Sequence, residues 1–395
     1  MSKIKGVNLG GWLVLEKWMS PELFSNTQAD DEYYLAKDLN REEYQARISM
    51  HRKYFINEGD ILRIASKGIS HIRVPVPYFI FGDRPPFIGC IEDLDNLFNW
   101  AETYGLKILI DMHSVPYSQN GFDNGGLSGV CRWASMENEV EFVENVLVKL
   151  GKRYKNRDSF WGIQVLNEPA TESIWSTMNP LKRYPPRDKS LSKGSAPISF
   201  DFLYKFYKRI YKKLRKVISN DTFIVFHDGF DLTKWNDFFA KNDFNNVILD
   251  THQYIMMAEM EGVELDIKAY ENYLESLKKD MEKVSNYVKL IVGEWSLFNS
   301  YAIGVDTKGG INPTQVSYDS INKLGRNEVK KIYNQLWKKS KEVWNFFEGD
   351  FYWTYKLNID TINDPSWYGW DSWDFDRCVS KEWIKLDFKE VSNEN

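Results

Sequence analysis

Trp161-Gly162-Ile163-Gln164-Val165-Leu166 runs directly into Asn167-Glu168-Pro169. A short, nearly continuous apolar run closed by a proline reads as a strand, and its lack of alternation marks one covered on both faces. A carboxylate at the end of such a strand is informative, because burying charge is costly unless something requires it there. The same arrangement returns in Lys289-Leu290-Ile291-Val292-Gly293, which ends in Glu294-Trp295.

Comparable runs lie at Ile4 to Leu9, Ile69 to Val74, Leu106 to Asp111, Thr222 to Phe226, Val247 to Asp250 and Asp350 to Trp353, about eight strands in all. Between them Val143, Val146, Leu147, Leu150 and Tyr154 repeat at helical spacing, as do Leu203, Phe206, Ile210, Leu214 and Val217. Strands alternating with helices predict an α/β fold, a closed (β/α)8 barrel rather than an open doubly wound sheet. Gly6-Val7-Asn8-Leu9-Gly10-Gly11 has the wrong spacing for a phosphate loop. No Pro/Gly/Ser linker interrupts the chain, so residues 1–395 are expected to form a single domain. The surplus length falls in Trp12 to Asn40, Met112 to Ser135, Ala170 to Ser199 and Trp295 to Arg326. In a barrel these long βα loops build the C-terminal face, where active sites lie. Lys182, Arg183, Arg187, Lys189 and Lys193 sit in the third of them and read as a solvated charge run.

Composition narrows the partners. With 51 Lys and Arg against 56 Asp and Glu the net charge is −5, which offers no basic field for nucleic acid or anionic lipid. No apolar stretch approaches the roughly 20 residues of a membrane span. Met1 leads into the first strand without an apolar signal region, which points to a cytoplasmic protein, or to a secreted one whose signal has been removed. A monomer is expected. Cys90, Cys131 and Cys378 are too scattered for a disulfide framework or structural zinc.

The other strand ends carry Arg73, His113, His252 and Tyr254, with His71 beside the first. Zinc favours ligands at tight local spacing, whereas these are dispersed over several strands without an H-E-x-x-H, so no metal and no cofactor are expected. Glu168 and Glu294 end the fourth and seventh strands, nearly opposite across an eight-membered ring, where both can lean over one pocket. Aromatic residues make up 15% of the chain, more than the core obviously needs. Trp100, Trp161, Trp235 and Trp344 fall in core positions. Trp133, Trp175, Trp295, Trp353, Trp367, Trp370 and Trp373 fall in or beside the presumed face, and the cluster Trp367 to Trp373 reads as a sugar platform or a packed lid.

Asn167-Glu168-Pro169 with Glu294 ending a later strand resembles glycoside hydrolase family 5. The segments Gly6 to Phe24, His71 to Phe79, Ser118 to Gly126 and Phe351 to Lys356 are similar to its exo-β-1,3-glucanase branch, known from fungi. The resemblance implies a (β/α)8 barrel and a retaining enzyme that releases glucose from the non-reducing end of a β-glucan. It makes Glu168 the acid/base and Glu294 the nucleophile. Arg73 and Tyr254 would bond Glu294, Asn167 would hold the sugar 2-hydroxyl, and His113 and His252 would line the same subsite. Glu16, Asp123 and Asn124 would bind hydroxyls of the terminal sugar, with Trp353 beneath it and Phe122 clamping the next one. The chain departs from the branch at Met257, where a second clamping phenylalanine is usual, at Lys17, Ser114 and Val115, and in its missing cysteine pattern. These departures leave a β-glucosidase or a β-1,6- or mixed-linkage glucanase as alternatives. A non-catalytic carbohydrate-binding barrel would lack one carboxylate, and both are here.

Retention needs two carboxyls about 5 Å apart, one ionised and one protonated. Arg73 is expected to lower the pKa of Glu294, and the charge of Glu294 to raise that of Glu168.

Overall fold

A computed structural model describes residues 3–303, 324–361, 363 and 369–386. Trp367 and much of the loop from Trp295 to Arg326 lie outside the described residues. Eight strands form the barrel: β1 (Ile4–Asn8), β2 (His71–Pro77), β3 (Lys107–Ser114), β4 (Phe160–Gln164), β5 (Phe223–His227), β6 (Val247–His252), β7 (Lys289–Trp295) and β8 (Gly349–Tyr352). All neighbours are parallel, and β8 returns to β1 through Ile4↔Gly349 to Val7↔Tyr352, so the sheet closes in sequence order. Each expected strand is present. The two apolar stripes become helices Glu137–Tyr154 and Phe200–Arg215, with Val217 just past the second.

The barrel interior has two zones. Ile4, Leu109, Phe223, Val225, Ile248, Ile291 and Phe351 pack an apolar plug at the amino end. His71 opens β2 at that end, against Trp161 and Phe351, and so stands away from the strand ends where the sequence reading had set it. Above the plug, Asn8, Arg73, Asp111, Gln164 and Asp250 replace it with a fully buried polar layer.

Side-chain alternation along β7 separates two neighbours that the sequence reading treated alike. Glu294 turns inward, so Trp295 turns outward, donates from Nε1 to Asp350 Oδ1 at 2.7 Å and stacks on Trp337. Trp133 likewise packs edge-on against Phe202 and Phe206. Both are core residues rather than members of the open face. Gly293 is required by close approach, since a Cβ there would lie 2.2 Å from Asp250 Oδ2.

Cys90, Cys131 and Cys378 are buried and free. Among the described residues no helix is long and apolar enough to cross a membrane. In the third long loop Lys182, Lys189 and Lys193 are exposed, and exposed Arg187 pairs with Asp38 at 2.7 Å.

Candidate active site

Asn167 and Glu168 follow β4 in a turn that Gln119 holds from below, its Nε2 donating to the carbonyls of His113 and Asn167 at 2.8 and 2.9 Å. Glu168 itself has φ +40°, a left-handed conformation that an ordinary side chain adopts only when its surroundings enforce it. Its Oε1 lies 2.7 Å from His252 Nδ1, and the same nitrogen is 3.4 Å from Glu294 Oε2. One imidazole nitrogen therefore touches both carboxylates.

Glu294 is held from two sides. Arg73 Nη1 donates to Oε1 and the Tyr254 hydroxyl to Oε2, each at 2.7 Å. The rest of the Arg73 fork goes to Gln164 Oε1 at 2.8 Å, Asn8 Oδ1 at 2.9 Å and Asn167 Oδ1 at 2.8 Å, with Asp111 Oδ2 at 3.0 Å. Because Asn167 spends its oxygen on Arg73, its Nδ2 remains as an outward donor without a partner among the described residues. His113 follows the same pattern: Nδ1 is 2.6 Å from Asp111 Oδ2, and buried Nε2 has no partner among the described residues.

The charge distribution reverses the expected pKa order. Burial works against a charged His252, but Glu294 and Asp250 outweigh it and hold the imidazole well above the usual histidine range. Burial would raise Glu168, yet the hydrogen bond and charge of His252, with the Asn124 amide, bring it below the usual carboxylate range. Burial pushes Glu294 up, and His252 and Arg73 oppose the rise without cancelling it. The sequence could supply Arg73 but not the imidazolium, which gives its shorter bond to Glu168.

The loops complete a cup above this pair. Glu16, after β1, takes a 2.8 Å bond from Trp18 Nε1 on Oε2, while buried Oε1 has no partner among the described residues. Burial raises the Glu16 carboxyl well above its ordinary range, and nearby Asp123 adds to the rise. Asp123 is raised by burial too, against a bond from Tyr184. Trp353 lies parallel to the His113 ring, with centroids 5.5 Å apart. Phe122 and Met257 join one apolar cluster with Tyr184, Trp175 and Ile174. Asn124 Nδ2 donates to Glu168 Oε2 at 2.6 Å.

Trp370 and Trp373 pack with Phe298 and Trp18 into a wall beside Tyr254. Trp18 went unnoticed in the sequence because nothing local shows that its loop returns to Trp370. His227, at the end of β5, was also missed, although its place beside a strand end was readable. Its ring meets that of His252 edge-on at 4.4 Å.

Glu168, His227 and His252 offer ligand atoms within 4.8 Å of one another. The Gly229 N–H donates to His227 Nδ1 at 3.0 Å, and burial holds this histidine well below its usual range. The neutral ring therefore carries its hydrogen on Nε2, a donor rather than a lone pair for a metal. His252 Nδ1 is committed to the carboxylates, so the set does not fit a zinc site.

A closed barrel of eight parallel strands, with two carboxylates over its carboxyl end, defines a class of glycosidase-like (β/α)8 proteins. The Cellulase (glycosyl hydrolase family 5) model matches residues 37–340, and the chain belongs to that family. A protein from Neosartorya fischeri named "Probable glucan 1,3-beta-glucosidase A" is 35% identical over 300 residues, 74% of this chain and 65% of that protein. One of the same name from Emericella nidulans is 30% identical over 387 residues, 92% of this chain and 87% of its own. The match thus spans just under two thirds of the first relative. In three dimensions the fold is similar to rutinosidase from Aspergillus niger, with TM-score 0.70 at 20% identity, covering 97% of this chain and 98% of that one.

Proposed function

We propose that this chain is a single catalytic domain that hydrolyses β-glucans with retention, releasing glucose from the non-reducing end of β-1,3-linked substrates. The observation that carries the reading is the position of His252 Nδ1. At 2.7 Å from Glu168 and 3.4 Å from Glu294, it limits the separation of those two oxygens to about 6 Å. A shared donor that brings one oxygen of each carboxyl this close supports the closely spaced pair of a retaining enzyme.

In the first step a Glu294 oxygen attacks the anomeric carbon as the glycosidic bond breaks, and Glu168 gives its proton to the leaving oxygen. The 2.7 Å contact with His252 Nδ1 is the route by which Glu168 is supplied with that proton. In the second step water attacks the same carbon, Glu168 accepts its proton and Glu294 is released. Asn167 Nδ2, His113 Nε2 and Glu16 Oε1 are polar atoms without a partner among the described residues that sugar hydroxyls would satisfy, and Trp353 offers an apolar face to the ring. The names of the relatives support the β-1,3-glucan assignment.

Glu168→Ala is expected to lose about 10²–10⁴-fold in turnover on laminarin, and Glu294→Gln at least as much. Near-wild-type rates in either variant would refute the two-carboxylate mechanism. Proton NMR of the first product should find β-glucose, and α-glucose would overturn retention. Comparing laminarin, pustulan, lichenan and cellobiose tests the linkage; faster release from pustulan or lichenan would replace the β-1,3 assignment.

A further inference from the structure

The loop after β3 contains a chain of amides ending on Glu168. Asn120 is fully buried, and its Oδ1 accepts the Phe122 backbone N–H at 3.0 Å and the Ser118 hydroxyl at 3.2 Å. A backbone N–H can only donate, so the carboxamide has one permitted orientation, with oxygen toward Phe122 and nitrogen away from it. That nitrogen donates to Asn124 Oδ1 at 2.8 Å. With its oxygen occupied, Asn124 turns its own Nδ2 to Glu168 Oε2 at 2.6 Å. Gly125 closes the space above, since a Cβ there would lie 2.4 Å from Asn120 Oδ1.

We propose that Asn120 is a positioning residue that fixes the polarity of the Asn124 amide, so that Asn124 presents only a donor to the Glu168 carboxylate. This rests on Glu168 being the acid/base. A fixed donor favours the carboxylate of Glu168, the form needed to take a proton from water in the second step, and opposes premature protonation at that oxygen. It works within a charged surround. His252 faces Glu168 from β6 with His227 behind it, His113 lies on β3, and Glu294, Tyr254 and Glu16 supply negative or polar groups. Arg73 is committed to Glu294 and Asn167. The amide chain is a neutral contribution among them, and the loop backbone sets its direction.

The test uses Asn120→Asp and Asn120→Ser. The Asp variant keeps the acceptor for Phe122 and Ser118 but removes the donor to Asn124. The Ser variant is too short to reach Asn124 and adds no charge. In both, the Glu168 carboxyl, the lower-titrating of the pair, should rise and carry the acid limb of kcat/KM for laminaribiose up by about half a pH unit to one, less than the one to two units of an outright loss because Asn124 remains and is only reoriented. Asn120→Ser should not add to the shift caused by Asn124→Ala when combined with it, because Asn120 acts through Asn124, whereas the added charge of Asn120→Asp acts on Glu168 directly as well. An unmoved limb in Asn120→Ser, or an Asn120→Ser shift that persists in the Asn124→Ala background, overturns the proposal. If the Asp variant fails to fold, the Ser variant alone decides. A Glu168→Gln enzyme of wild-type activity refutes the underlying acid/base assignment instead, and is read independently of the limb positions.

Discussion

Tyr254→Phe isolates one contact to the candidate nucleophile. The hydroxyl donates to Glu294 Oε2 at 2.7 Å, and the ring rests on Trp373 with centroids 5.3 Å apart. Phenylalanine keeps the ring packing and removes only the donor. Oε2 then retains His252 Nδ1 at 3.4 Å, while Arg73 still holds Oε1 at 2.7 Å. A hydrogen bond to a charged group is worth about 1.5–3 kcal/mol, and 1.36 kcal/mol corresponds to one pH unit, so the loss amounts to about one to two units. The donor stabilises the ionised form, so its removal raises the proton affinity of Glu294, which burial has already pushed up. Because Glu294 titrates above Glu168, the alkaline limb of kcat/KM for laminaribiose should therefore move up by about one to two units and the plateau should fall, since less of the singly protonated enzyme carries its proton on Glu168. Steady-state rates from the acid to the alkaline range, with circular dichroism to verify the fold, provide the assay. An alkaline limb and plateau at their wild-type values would refute the idea that Tyr254 keeps Glu294 ionised.

Trp353→Ala should reduce kcat/KM on laminaribiose by about ten- to a hundredfold, mainly through KM, if the ring supports the sugar with about 1.5–3 kcal/mol of apolar contact. Gly293→Ala should lower the free energy of urea unfolding by about 1–3 kcal/mol, because the new methyl meets the buried Asp250 carboxylate. Burial raises the Asp228 carboxyl from 3.8 to about 7. Its contribution to stability is thus complete below the unfolded value and lost as pH rises toward 7, by about 4 kcal/mol at the upper limit. Asp228→Asn should accordingly gain relative to wild type between pH 4 and pH 8 in urea midpoints, and a constant difference would contradict this.

The eight strands were legible because strands buried on both faces must be apolar along their whole length, and Ile4 to Leu9 or Val247 to Asp250 announces this without neighbours. The polar residues His113, Glu168, His252 and Glu294 at strand ends, and Arg73 within β2, were legible for the complementary reason that charge at such positions is costly. Their grouping follows from barrel closure, which aligns every strand end on one face. What they do to one another was not legible. The reversed pKa order of Glu168 and Glu294 depends on which carboxylate receives the shorter bond from His252 Nδ1, a difference between 2.7 and 3.4 Å. Trp133 and Trp295 looked like face residues because loop position says nothing about side-chain direction, whereas alternation along β7 sends Glu294 inward and Trp295 outward. Trp18 over Trp370 and the Asn120–Asn124–Glu168 chain join segments remote in sequence or orient amides by backbone donors. The sequence by itself thus determined a parallel barrel and the chemical groups at its carboxyl end, since both are written in local apolarity and charge. The protonation, orientation and pairing of those groups were decided by the tertiary structure alone, because they depend on sub-ångström differences between residues that folding brings together.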